Sequence, residues 1–314
     1  MNKGMILSGL ISAVVIVSVT VAAISVFSAD TAADPWDGKT SEWHDAEYAF
    51  GTHHGTDKGS EGNPFMICNG GQLKLLAELV NGNVNGYNNS GVHYKLTENI
   101  ILNDTSQLSQ WGKGLAPKNV WVPIGTHAVP FKANFDGNGK AICGIYIDND
   151  DRTENGKGLF GCINGKIKDL SVQKSHIRSG SSVGGIAGCM DGGSVTNCSN
   201  SGAIFGSDRT GGIAGHLKNG MIAYCSNTGA ICGRSNTGGM AGCMDDGSVI
   251  KCSNSGAICG SCSTGGILGS AKNCMVLNCS NNGPVHRMYI AGGYGEAHDL
   301  CDLCAVHGLS DERC

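Results

Sequence analysis

The chain has 314 residues, with 22 Lys and Arg against 26 Asp and Glu, a formal charge of −4 and 15% charged residues. A mildly acidic chain without a basic patch argues against nucleic acid and anionic membrane surfaces as partners, since clustered Lys and Arg hold both. Its 50 glycines and 6% aromatics suit a chain of many tight arcs, and regular apolar columns argue against a disordered polymer.

Residues 4–29 carry no charge, with Lys3 before them and Asp30 after. The apolar run 5–27 is long enough to cross a bilayer, which takes about 20 residues, and longer than a usual signal-peptide core. Residues 1–29 are therefore expected to direct export. They are read as a signal peptide cleaved near Ala23 or Ala29, as a retained membrane anchor, or as a prepilin-like leader ending at Gly4. Each reading places the rest of the chain at the cell surface or outside the cell.

Residues 30–62 are polar and irregular, a linker leading into the fold, and His53 and His54 lack the Cys or carboxylate framework of a metal site. Residues 63–157 are expected to hold a capping helix and irregular first coils. The helix is predicted over 71–80, with Leu73, Leu76, Leu79 and Val80 on one face and Asn69 as N-cap. It would cover the open end of a solenoid, where backbone groups and apolar columns otherwise meet water. Strands are predicted over 94–102 and 121–125, and an early irregular coil over 131–147. The turn 135–139 has Asp136 as its one acidic residue. A calcium site needs six to eight oxygens, so a plain tight turn is the reading.

From 158 to 293 the chain repeats every 27 residues without insertion. Gly185, Gly212, Gly239 and Gly266 form one column, Cys198, Cys225, Cys252 and Cys279 a second, and Asn200, Asn227, Asn254 and Asn281 a third. Val195, Ile222, Val249 and Val276 form an apolar column, and Ile204, Ile231, Ile258 and Val285 another. A fixed period of this length marks a stacked solenoid, and units so short and glycine-rich cannot be helix pairs. The predicted fold is all-β: a right-handed parallel β-helix with one coil per repeat. Glycines are expected to supply positive φ in the arcs, and the Asn column is expected to stack amide on amide.

Units such as 183–188 followed by 195–202 resemble the GLUG repeat of bacterial and some archaeal surface proteins, also found beside the protease domain of immunoglobulin-A metallopeptidases. The likeness extends upstream through 62–65, 72–80, 94–97, 121–125, 135–139 and 158–161. It implies a surface-displayed β-helix and brings no shared chemistry.

An even, high cysteine count, 16 here, in an exported chain suggests disulfides. In-register coils, however, hold stacked Cβ atoms farther apart than a disulfide prefers. The four-cysteine column is therefore read as thiols packed as small hydrophobes, which requires a bend between Val195 and Cys198 to turn both inward. Cys259 and Cys262 are the better disulfide candidates. Cys162, Cys189 and Cys243 share a column with His216. They are expected to lie spread along the axis rather than converge on a metal. The tail 294–314 carries His298, Cys301, Cys304 and His307. Zinc, disulfides and a tail without either remain open there; no other cofactor is expected.

The sequence lacks His-Glu-x-x-His and a phosphate loop. The reading is a non-enzymatic exported surface or secreted protein, an adhesin-like binding or spacer module. Its partner would be an extended glycan or a host or cell-surface protein, with the membrane added if the N-terminal segment is uncleaved. The variable positions Asp208, Arg209, Arg234, Asp245 and Asp246 are the expected contacts. A carbohydrate-active β-helix lyase or hydrolase and a pilin-like subunit are the alternatives.

Overall fold

The computed structural model describes residues 34–40, 59–149 and 155–287. The chain divides after Ala32 into two units, and the described residues belong to the second. The export segment, His53, His54, Gly292, Gly293 and the tail with His298, Cys301, Cys304 and His307 lie outside the described residues. Among the described residues no helix is long and apolar enough to cross a membrane.

The fold is a parallel β-solenoid of about eight turns, its strands gathered into sheets of 11, 7 and 9 strands. One coil runs through Ala187–Asp191, Ser194–Thr196, Ser199–Asn200 and Ala203–Gly211. The next runs through Ala214–Lys218, Met221–Ala223, Ser226–Asn227, Ile231–Cys232 and Ser235–Gly238. Val195 pairs with Ile222, Asn200 with Asn227 and Ile204 with Ile231, so the sequence period is the structural register. Val195, Ile222, Val249, Ile204, Ile231 and Ile258 are fully buried, each burial stabilising by about 1.5–3 kcal/mol. In the last described coil Val276 and Val285 are exposed.

The arcs differ from expectation. The column glycines Gly185, Gly212, Gly239 and Gly266 are not the left-handed residues; most of those positions fall in three other columns, occupied mainly by residues with side chains. They are Ser182, Arg209, Asn236 and Ser263; Gly192, Asn219, Asp246 and Asn273; and Asn197, Tyr224, Lys251 and Asn278. Asn and Asp tolerate this conformation, whereas Tyr224, Lys251 and Arg209 adopt it at a cost of about 1–3 kcal/mol each. Close approach explains the glycine column instead. A Cβ on Gly212 would stand 2.4 Å from the Gly239 carbonyl oxygen and 2.5 Å from Asn227 Cγ.

Asn197, at φ 52°, supplies the bend required between Val195 and Cys198. Val195 and Cys198 are 0% and 2% exposed, so both face inward despite their odd spacing.

At the other end, Phe65–Ile67 is the terminal strand of its sheet and pairs with His93–Leu96. The helix Gly70–Asn81 follows it directly. Asn69 caps this helix by accepting from the Gln72 backbone N–H at 2.9 Å, and Leu73, Leu76, Ala77 and Val80 join the core. The predicted strand 94–102 divides into His93–Leu96 and Ile100–Ile101. Segment 121–125 forms only a bridge, between Ile124 and Phe160.

Residues 131–147 form three strands, Asn134–Asp136, Ala141–Cys143 and Tyr146–Asp148, in register with later coils. The solenoid thus begins before residue 158. Lys166 is the partner of Asn134 and lies 32 residues on, and this longer spacing hides the early coils from a search for a fixed period. The turn after Phe135 is a plain one, with Asp136 accepting from the Asn138 N–H at 2.7 Å and pairing with Lys168 at 3.1 Å.

Candidate functional site

Met190, Leu217 and Met244 point into the core at 1%, 0% and 0% exposure. Strand alternation therefore places residues one position away on the other face. Two rows result, two residues apart. The first is Cys162, Cys189, His216, Cys243 and Ser270, each paired with the next. The second alternates in charge: Asp191, Lys218, Asp245 and Lys272.

The first row does not keep its donors apart, contrary to expectation. Cys162 and Cys189 form a disulfide between adjacent coils, with Cα atoms 4.6 Å apart. The stacking distance itself lies within disulfide reach, and side-chain rotation brings the sulfurs together. His127 joins them, its Nε2 3.8 Å from Cys189 Sγ. Farther along, His216 Nε2 lies 3.0 Å from Asp245 Oδ2, and Cys243 Sγ lies 4.0 Å from the same oxygen. Each of these two groups offers three ligand atoms lying within 4.8 Å of one another. Burial, followed by the nearby Asp245 carboxylate, pushes the Cys243 thiol up. The role of His127 has no signal in the repeat, because it sits in an early segment without the fixed period. That of Asp245, expected as a partner contact instead, has one signal in the sequence: its place two residues from Cys243 on one strand face.

The remaining variable residues divide by role. Asp208 accepts from the Asn236 side chain at 2.8 Å and pairs with Arg209 Nε at 3.4 Å. Both lie within a strand, with Arg209 at a left-handed kink. The Arg234 carbonyl accepts from the backbone N–H groups of Ser261 and Cys262. Asp246 is exposed at the kink beside Asp245, inside the strand Ala241–Ile250 rather than in an arc.

The Asn column is a continuous amide ladder. Asn200 donates to Asn227 at 2.8 Å, Asn227 to Asn254 at 2.8 Å and Asn254 to Asn281 at 2.7 Å. The cysteine column consists of thiols, with Cys198, Cys225 and Cys252 buried and Cys279 half-buried. Cys225 Sγ donates to the carbonyls of Ala223 and Val195. Cys252 does the same to Ile250 and Ile222. Burial before all else pushes Cys225 well up, while the hydrogen bond with Cys225, then burial, raises Cys252. Cys259 and Cys262 are not bonded to each other as expected. Cys259 is buried in register with Cys232, and Cys262 is exposed on the next strand.

Near the helix, the segment 34–40 lies over the early coils. The Trp36 N–H donates to the Ile101 carbonyl at 2.9 Å, and Asn119 donates to the Trp36 carbonyl at 2.7 Å. Grooves of about 510 and 470 Å³ share Trp36 as a wall. Asp104 and Trp111 line the first; Lys74, Val120 and Val122 line the second.

No family model matches the chain. A protein of Evansella cellulosilytica, provisionally named a Gly-rich membrane protein, is 34% identical over 122 residues, 38% of this chain. The match spans 12% of that relative's length. Among solved structures, one from Bacteroides ovatus, provisionally described as an immunoglobulin A1 protease, gives a TM-score of 0.46 at 18% identity. That alignment covers 76% of this chain and 82% of the other.

Proposed function

We propose that the chain is an exported cell-envelope β-solenoid of the GLUG-repeat type, acting without catalysis as an adhesin-like binding or spacer module. The observation that carries this reading is the charged row Asp191, Lys218, Asp245 and Lys272, set in register on consecutive coils. Neighbouring coils stand about 4.8 Å apart, so like charges recur at about 9.6 Å along a straight line. Such an array favours an extended, repeating partner, a glycan chain or an elongated surface protein, over a compact ligand that needs a deep pocket. Each contact is weak in water, and many copies on one cell supply the avidity. The name of the Evansella relative supports a location in the cell envelope.

Cell fractionation with protease shaving tests the location. A glycan and matrix-protein array, probed with the purified full chain, tests the binding. Lys218→Glu combined with Lys272→Glu should abolish the array signal while leaving the fold intact. A cytosolic location overturns the reading, as does cleavage of an arrayed polysaccharide or peptide by the pure protein.

A further inference from the structure

We propose that His216, Cys243 and Asp245 form a binding site for a divalent cation of the zinc class, built across two adjacent coils. His216 and Cys243 are register partners. Asp245, two residues beyond Cys243 on the same strand, presents its carboxylate on the same face. Three donor types thus meet: an imidazole nitrogen, a thiol sulfur and a carboxylate oxygen, all within 4.8 Å of one another.

The geometry suits a tetrahedral ion. Zinc bonds nitrogen and oxygen at about 2.0–2.2 Å and sulfur at about 2.3 Å, which sets donor–donor edges of roughly 3.3–3.6 Å. The observed 3.0 Å from His216 to Asp245 and 4.0 Å from Cys243 to Asp245 straddle that range. Shifts of about half an ångström at the side-chain ends close it. Binding displaces the His216–Asp245 hydrogen bond and releases the Cys243 thiol proton to solvent. The resulting thiolate and carboxylate neutralise the two positive charges of the ion. The His216 and Asp245 side chains are 20% and 38% exposed, so the ion has a path in and a fourth position for water or a partner's donor. The mixed sulfur, nitrogen and oxygen set argues against calcium and magnesium, which take oxygen ligands. The group at His127 differs, because its two sulfurs are joined to each other and supply no thiolate.

The test uses the full chain, stripped of metal and kept without reductant so that the Cys162–Cys189 disulfide persists, with cobalt(II) as the spectroscopic stand-in for zinc. A variant carrying Cys301→Ser, Cys304→Ser and Cys314→Ser removes the tail thiols from the signal. In that background, cobalt should give visible d–d bands and a near-ultraviolet thiolate charge-transfer band at one equivalent, bleached by added zinc. Cys243→Ser should remove the charge-transfer band. Asp245→Asn, close to isosteric, should weaken binding by more than about ten-fold, the least that loss of even a supporting partner costs. Circular dichroism confirms that each variant keeps its fold. Cobalt spectra and affinity unchanged by Cys243→Ser and by Asp245→Asn would overturn the proposal, as would absence of the thiolate band in the parent.

Discussion

Asn227 donates its amide to Oδ1 of Asn254, one coil farther along, at 2.8 Å, and its remaining amide hydrogen goes to the Gly229 carbonyl of its own coil at 2.8 Å. The same side chain therefore ties a coil to its neighbour and closes a turn within itself. At 1% exposure, water cannot take over either bond.

Asn227→Ala should accordingly destabilise the protein by about 2–4 kcal/mol, from a cavity and a buried acceptor left without its donor. Lys218→Ala, half-exposed on the outer face, should change stability by less than about 0.5 kcal/mol. Urea unfolding followed by circular dichroism measures both. Equal losses would count against the ladder as a stabilising element.

Gly212→Ala should cost about 2–4 kcal/mol, because its Cβ would press on the Gly239 carbonyl and the Asn227 amide. Gly62→Ala is the control, since nothing lies within 4 Å of the Cβ it adds. Its effect should stay within about 0.5 kcal/mol in the same measurement. A benign Gly212→Ala would mean that the coils are looser than described.

Native alkylation followed by mass mapping should label Cys262, which is exposed, and leave Cys225 and Cys252 untouched until denaturant is added. The protection has two sources: burial, and thiols held protonated well above their usual range. Without reductant, Cys162 and Cys189 should appear as one linked peptide pair. Labelling of Cys225 at the rate of Cys262 would contradict the buried column.

Asp148 sits between Arg178, which donates to it through Nε, and Tyr146, whose hydroxyl donates at 2.9 Å. Burial by itself would raise the Asp148 carboxyl, but these hydrogen bonds outweigh it and hold the carboxyl below its usual value. A depressed carboxyl contributes stability above its unfolded pKa of about 3.9 and loses it as pH falls through the lower folded value. Acid unfolding should therefore steepen below about pH 4, and Asp148→Asn should be less stable at neutral pH with a flatter acid limb. Burial first, then the hydrogen bond to Asp148, pushes the Tyr146 hydroxyl up to about 12.

The regular half of the molecule was legible because a column of identical residues in a fixed period can mean only in-register stacking. Asn200 and Asn227 declared both the fold and the bond between them. The early coils were legible as irregular ones, over 94–102 and 131–147, but their register was not, because insertions move Lys166 32 residues from Asn134 and no column survives that. Left-handed positions were not legible: positive φ was expected at the column glycines, whereas it falls at Gly192, Asn219, Asp246 and Asn273, which share no one residue type, and at Tyr224 and Lys251, whose bulky side chains give no hint of it. At the candidate site, Cys243 and His216 were visible as a column. Their convergence was not, because strand spacing fixes backbone distance and says nothing of how side-chain ends rotate toward each other.

Register has one more consequence. Asn200 meets Asn227 through the same contact by which Asn227 meets Asn254, so every joint along the ladder repeats the same amide contact. Removing one whole unit would bring Asn200 onto Asn254 but also Asp191 onto Asp245, so a pair of units, about 9.6 Å of shaft, is the step that keeps both the ladder and the alternating row. The span of the rod is thus a trait that heredity can adjust in whole notches, while a fractional change, which would slide Cys and Asn off their columns, is refused by the fold.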